Sequence, residues 1–218
     1  MRLAASFATW ILAMGAAAGA DVPAPPAVPA TLEELMGRMA GTTGIVATFE
    51  EHKHLALLEE PVESRGRLAF VPPSCMVWNV RSPGESSLVI EGERVRFRDE
   101  TSPQALDLSD NPIARHFVDG FMVLFNGDLS AMREQYALEF RGRDDGWRLA
   151  LTPRSARVRS VIASIVLEGR SGPIDRMEIF EADGDRTVTE FAAVEVDHRF
   201  DPDELRELFG PRTSCGSP

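Results

Sequence analysis

Apolar and polar residues alternate along two long parts of the chain, which is the pattern of half-buried β-strands. The first part runs from Gly44 to Asp107 and the second from Leu138 to Val196. Turn-forming residues such as Glu91-Gly92 and Asp183-Gly184 separate the alternating runs. The pattern predicts successive antiparallel strands that are apolar on one face and charged or polar on the other. Alternation places these side chains on the apolar face: Leu68, Phe70, Met76, Trp78, Leu88, Ile90, Leu138, Phe140, Leu149 and Leu151.

Helical spacing replaces the alternation at four places. Thr31, with Glu34 three residues later, predicts a capped helix that ends at Gly41. Asn111-Pro112 predicts the start of a strongly apolar helix that Gly127 closes, and a short helix follows Asp128. A last helix is predicted from Asp201-Pro202. The stripe of the apolar helix consists of Ile113, Phe117, Phe121, Leu124 and Phe125. We therefore predict a mainly β (α+β) fold, in which one curved antiparallel sheet packs with a few helices.

The N-terminus has the three regions of a secretory signal peptide. Arg2 precedes an apolar run, and Ala18-Gly19-Ala20 forms a small-residue cleavage site. We expect residues 1–20 to be a signal peptide that is cleaved after Ala20, which places the protein in the periplasm. The alternative is an uncleaved N-terminal anchor. Residues 21–30 form a Pro/Ala linker, 31–210 the folded domain and 211–218 a C-terminal tail.

Charge and cysteine content narrow the range of partners. The formal net charge of −11 opposes binding to phosphate backbones, so we expect no nucleic-acid partner. Cys75 and Cys215 are the only two cysteines, and a periplasmic location permits a disulfide. The strand pattern directs Cys75 away from the apolar face, where the C-terminal tail could reach it. The sequence leaves open whether the two cysteines pair or stay as free thiols.

Sequence motifs for catalysis, cofactor binding and phosphate binding are absent. His52 and His54 lie beside Glu50 in a pattern that could bind a metal, but we interpret them as part of a solvated strand face. Asp183 and Asp185 could suggest calcium, but a hairpin turn requires the same residue types. We expect no catalytic residues, no metal and no cofactor, and hence no enzyme.

Several sequence segments in order resemble the outer-membrane lipoprotein carrier (LolA-like) family, particularly a divergent branch of it. The resemblance covers about Thr31 to Phe200, and the segments are Phe49–Leu55, Leu58–Ser64, Gly66–Pro73, Leu124–Leu129, Trp147–Pro153 and Ile179–Asp185. It implies an incompletely closed antiparallel β-barrel with helices over an apolar concave face. Trp78 matches a tryptophan of the family, and Phe117 to Phe125 matches its lid helix.

Two departures from the family pattern concern the lid and the C-terminus. Well-studied carriers have an arginine at the position of Pro72, where it holds the lid, and a proline cannot make that contact. The tail from Pro211 to Pro218 is also short for an extra C-terminal strand.

The resemblance implies a periplasmic carrier that moves a lipoprotein or lipid from the inner towards the outer membrane. Its partners would be acyl chains, an inner-membrane donor protein and an outer-membrane acceptor protein, and we expect a monomer. The ten apolar-face residues named above would line the cavity, with Phe117, Phe121 and Leu124 of the lid filling it when it is empty. Alternation alone also fits an ordinary filled core. A second functional interpretation is a lipid-sensing or interaction module that is associated with an envelope export system.

Overall fold

Eleven strands form a single antiparallel sheet in the computed structural model, which describes residues 27–99, 103–107, 112–211 and 213–216. The proposed signal peptide and residues 21–26 of the linker lie outside these ranges. The strands are β1 (Ile45–His54), β2 (Val62–Val71), β3 (Cys75–Ser82), β4 (Ser86–Glu91), β5 (Arg94–Arg98), β6 (Pro103–Asp107), β7 (Tyr136–Arg143), β8 (Gly146–Pro153), β9 (Ile162–Gly169), β10 (Arg176–Glu181) and β11 (Arg186–Val196). The helices are α1 (Leu32–Ala40), α2 (Pro112–Asn126), α3 (Leu129–Gln135), α4 (Ala156–Arg159) and α5 (Pro202–Phe209).

The sheet joins two series of consecutive hairpins. Its order is β6-β5-β4-β3-β2-β1-β11-β10-β9-β8-β7, so β1 pairs with β11 at the centre, and β6 and β7 are the edges. The sheet is not closed into a barrel, which confirms the predicted fold class. Within the described ranges, no helix is long and apolar enough to cross a bilayer.

Helices α1, α2 and α3 cover the concave face of the sheet and form the main core with it. Buried side chains from these helices include Leu35, Leu124 and Met132, and they pack against Phe70 of β2 and Leu149 of β8. The capping residues act locally as the sequence predicts. Thr31 Oγ1 accepts a hydrogen bond from the Glu34 backbone N–H, and Asp128 caps α3.

A second, smaller core lies on the convex face, which the sequence predicted to be polar. Val71 of β2 and Val77 of β3 are buried there against Phe209 of α5. Alternation shows which residues share a face, but it does not show whether another element covers that face. Strands β2 and β3 are therefore apolar on both faces where α5 packs. Helix α4, which has only four residues, was also not predicted.

A disulfide between Cys75 and Cys215 fastens the C-terminal segment to the convex face. Its Cα atoms lie 5.9 Å apart, and both cysteines are buried in the smaller core. Arg96 Nη2 also donates a hydrogen bond to the Phe209 carbonyl oxygen at 2.7 Å. These contacts hold α5 and the segment after it against β3–β5.

Candidate functional site

An apolar cavity of about 450 Å³ opens between the sheet and the C-terminal half of α1. Its wall comes from the central strands and from α2, and its outer rim comes from α1 and the β9–β10 connection. The wall residues are Ile45 and Ala47 of β1, Leu68 of β2, Phe191, Val194 and Val196 of β11, and Phe125 of α2. These side chains carry no charge, so the wall suits hydrocarbon.

Polar contacts at the rim hold the elements around the opening. Arg38 of α1 donates hydrogen bonds from Nη1 to the carbonyl oxygens of Ala27 and Ser171, at 2.7 and 3.0 Å. Thr42 Oγ1 accepts from the Asp197 backbone N–H at 3.1 Å. The charged Arg38 therefore has structural partners at the rim, and the wall of the cavity stays apolar.

A smaller cavity of about 220 Å³ lies at the opposite end of the concave face. Leu88 and Ile90 of β4 line one side, and Ile165 and Ile179 of β9 and β10 line the other. Tyr136 also contacts it, and burial raises the pKa of its hydroxyl, which is therefore uncharged at neutral pH. This cavity lies between the two hairpin series of the sheet.

The side chains predicted to line a cavity are distributed over three environments. Leu68 lines the larger cavity, and Leu88 and Ile90 line the smaller one. Trp78, Leu138 and Phe140 are partly buried against the core. Phe117 and Phe121 lie in α2, but their side chains are outside the described ones. The remaining predicted residues are fully enclosed in the core: Phe70, Met76, Leu124, Leu149 and Leu151.

The sequence prediction missed the cavity wall at β1 and β11. Ile45 and Ala47 do follow the alternation of β1, which was a usable indication. A bulge interrupts β11, where Ala193 has a φ of +49°. Beyond the bulge the parity is reversed, so Val194 and Val196 share the concave face with Phe191. The alternation of apolar and polar residues in the sequence does not reveal such a reversal.

An aromatic layer borders the larger cavity along the sheet. The rings of Phe49 and Trp78 have centroids 4.4 Å apart, and Trp78 meets Phe191 edge-on at 6.1 Å. The next residue of β1 on the same face is Glu51, whose neighbours across the strands are Ser64 and Thr189. The concave face thus changes along β1 from aliphatic to aromatic to polar.

The C-terminal end of α2 is anchored to the sheet by contacts other than the arginine that the family resemblance implies at the position of Pro72. The rings of Phe125 and Phe70 pack with centroids 5.3 Å apart. Asn126 Nδ2 donates a hydrogen bond to the Pro73 carbonyl oxygen at 2.7 Å. Near the other end of the helix, Arg115 forms an ion pair with Glu93. The covering helix therefore has contacts at both ends.

The side chains of the two sequence patterns that could bind a metal pair with neighbouring groups of the protein. His52 lies 3.5 Å from Glu50 and 3.7 Å from Glu63, measured from ring nitrogen to carboxylate oxygen, on a partly solvated face. The carboxylates of Glu181, Asp183 and Asp185 lie within 4.8 Å of one another. Lys53 Nζ lies 2.9 Å from Glu181, and Asp185 accepts a hydrogen bond from the Ala56 N–H. These carboxylates therefore fix the β10–β11 turn against the β1–β2 loop.

Comparison with known proteins gives consistent matches over nearly the whole chain. Residues 23–208 match the family described as outer membrane lipoprotein carrier protein LolA-like. The outer-membrane lipoprotein carrier protein of Chromohalobacter salexigens is 25% identical over 192 residues, which cover 88% of this chain and 89% of that protein. The protein of the same name from Pseudomonas aeruginosa is 24% identical over 202 residues, covering 92% of each chain. The crystal structure of a LolA superfamily protein from Nitrosomonas europaea has a TM-score of 0.43 at 13% identity, covering 80% of this chain and 96% of that one.

Proposed function

This chain belongs to the LolA-like family of outer-membrane lipoprotein carrier proteins, and we propose that it carries acyl chains in the apolar space between its sheet and helices α1–α3. The cargo is a lipoprotein or a lipid that moves from the inner towards the outer membrane. The observation that carries this proposal is the cavity of about 450 Å³ with an uncharged wall on the concave face. Ligand pockets generally occupy roughly 300–1,000 Å³, so the cavity is large enough for part of an acyl chain.

The enclosed core between the two cavities accounts for reversible binding. An acyl chain gains about 0.8 kcal/mol for each CH₂ group that leaves water, so a carrier with an open cavity would release its cargo very slowly. In this chain Met122, Leu124 and Phe125 of α2 fill the space between the cavities. Cargo that extends beyond the larger cavity has to displace α2, and this competition lowers the net affinity to a level that permits release.

The setting of this function is the periplasm, which the N-terminal sequence supports. The protein would act there as a monomer, receive cargo from an inner-membrane donor protein and deliver it to an outer-membrane acceptor. Its acidic charge of −11 disfavours adhesion to anionic leaflets, which suits a carrier that has to leave each membrane.

Native mass spectrometry of the protein purified gently from a bacterial periplasm tests the proposal directly. We expect bound adducts that resolve, after lipid extraction, as phospholipid or acylated peptide. A ligand-free protein that also takes up no added lipid would contradict the carrier function and indicate an ordinary filled core. The intact mass of the same protein also shows where the signal peptide is cleaved.

Matched variants connect the binding to the larger cavity. Ala47→Trp places a large side chain inside it, whereas Thr48→Trp places the same side chain on the exposed opposite face. We expect Ala47→Trp to lose most lipid and Thr48→Trp to retain it. Gly172→Trp is a second test because only the tip of Arg38 approaches a Cβ atom there, so the fold should tolerate it. Equal lipid retention in all three variants would exclude this cavity as the binding site.

A further inference from the structure

Glu51 occupies an unusual place for a carboxylate, on the face of β1 that forms the cavity wall. Three consecutive residues on that face are Ala47, which lines the larger cavity, Phe49 of the aromatic layer, and Glu51. At about 3.4 Å per residue along an antiparallel strand, Glu51 lies about 14 Å from Ala47. A lipid or lipoprotein whose acyl chain lies beside Ala47 is long enough to place a polar group at this distance.

The neighbours of Glu51 are hydroxyl groups. Thr189 Oγ1, on a fully buried residue, lies 3.3 Å from Glu51 Oε2, and Ser64 Oγ lies 3.5 Å from Oε1. Lys53 is the next residue of β1 on the same face, but its ammonium group lies 2.9 Å from Glu181. A carboxylate offers about four acceptor sites, and the two hydroxyls use two of them.

Burial makes this arrangement unfavourable for an ionised carboxylate, although Lys53 is close enough to attract it. Removal from water raises the pKa of Glu51, because desolvation outweighs the hydrogen bonds from Thr189 and Ser64 and the attraction of the Lys53 charge. Hydroxyl groups do not neutralise a partly buried carboxylate, whereas a hydrogen-bonding cation does. The position thus has free acceptor capacity, and its ionised form gains from a nearby positive charge; a cation with N–H groups supplies both.

We propose that Glu51, together with Ser64 and Thr189, binds a primary ammonium group of the cargo whose acyl chains lie in the cavity. This inference rests on the carrier function proposed above and adds the class of polar group that the carrier selects. Two cargo components supply this chemistry: the ethanolamine headgroup of a phospholipid, and a lysine side chain close to the acylated residue of a lipoprotein. A quaternary ammonium group has no N–H to donate, so it gains the charge attraction but not the hydrogen bonds.

The test uses vesicles that contain equal amounts of phosphatidylethanolamine and phosphatidylcholine with identical acyl chains. The full mature protein is incubated with them, separated, and analysed for bound lipid by mass spectrometry. We expect the protein to retain ethanolamine lipid in about tenfold preference, the ratio that about 1.4 kcal/mol gives at 25 °C. The variant Glu51→Gln should bind lipid with no more than about a twofold preference. The control is Glu50→Gln, because Glu50 is adjacent in sequence, faces the opposite side and pairs with Arg65 at 2.9 Å.

Each outcome separates this inference from the proposed function. A preference that disappears in Glu51→Gln and persists in Glu50→Gln supports the ammonium site. Lipid binding without a headgroup preference, or with one that Glu51→Gln leaves intact, overturns the site but leaves the carrier function standing. No bound lipid in any variant overturns both. A parallel assay with acylated peptides that carry lysine or norleucine beside the acylated residue shows which source of ammonium the site prefers.

Discussion

Asn126 is the last residue of α2. Its substitution offers a way to weaken the packed (closed) position of α2 over the sheet without altering the cavity. Its Nδ2 atom donates a hydrogen bond to the Pro73 carbonyl oxygen at 2.7 Å, and so joins α2 to the β2–β3 turn. The same atom donates to the Met122 carbonyl oxygen within the helix at 3.0 Å. Substitution Asn126→Ala removes the tie to the sheet and adds no bulk.

The expected loss of stability in Asn126→Ala follows from the kind of hydrogen bond that is removed. A hydrogen bond of this type contributes about 1 kcal/mol, and the exposed carbonyl of Pro73 can bind water once the side chain is gone. If α2 competes with cargo, about 1 kcal/mol changes the ratio of closed to open protein about fivefold. We therefore expect Asn126→Ala to unfold at a lower urea concentration and yet to bind lipid about fivefold more tightly.

The assay pairs urea unfolding with displacement of a fluorescent fatty acid at several lipid concentrations. Arg96→Ala is the control, because it removes a hydrogen bond of the same length to Phe209 on the convex face, away from α2. It should lower stability without changing lipid affinity. If Asn126→Ala lowers stability while affinity stays constant or falls, α2 does not compete with cargo.

Three further predictions concern stability. Gly127→Ala should cost at least about 2 kcal/mol, because Gly127 has a φ of +65° and its Cβ would lie 2.4 Å from a carbonyl oxygen of α1; Gly92→Ala, at a φ of +57° but in open space, should cost about 1 kcal/mol. Equal melting temperatures for the two variants would disprove the close approach. Reduction of the Cys75–Cys215 disulfide should lower the urea midpoint, since a bond that closes a span of 140 residues stabilises by up to about 4–5 kcal/mol. Hydrogen bonds to two glutamates raise the pKa of His198 above its ordinary value of 6.5 in the folded protein. The stabilisation that these bonds give is therefore complete below pH 6.5, and it is lost as the pH rises through the raised pKa. The stability difference between wild type and His198→Gln should therefore shrink with rising pH, and a difference that grows would contradict this assignment.

Local structure followed closely from the sequence, because it depends on local chemistry. The shared face of Leu68 and Phe70, the cap at Thr31 and the positive φ at Gly127 all depend on a few neighbouring residues. The long-range arrangement did not follow. Burial of Val77 depends on α5, which lies far away in sequence, and the bulge at Ala193 reverses the parity of β11 where Val194 and Val196 border the cavity.

The sequence places the candidate site on the apolar face of the sheet, and the assignment of individual lining residues stays a prediction. The sequence indicated that the concave face is apolar and covered by a helix, and the structure has such a face. Which side chains border empty space depends on how completely α2 fills the concavity. Leu149 and Leu151 have the same pattern as Leu68, yet they are enclosed by the core while Leu68 borders the cavity. Periodicity does not distinguish these two situations.

The central position of β1 determines when the sheet can be completed during synthesis. Strands β1 to β6 and β7 to β11 can each pair with a neighbour in sequence, but β1 meets β11 only after nearly the entire domain has been made. Contacts between residues so distant in sequence form slowly. Until they form, β1 and β11 both expose unpaired backbone groups, and such edges associate with other chains. A truncation that removes β11 would leave β1 and β10 permanently open, so aggregation rather than a smaller soluble domain is the expected product.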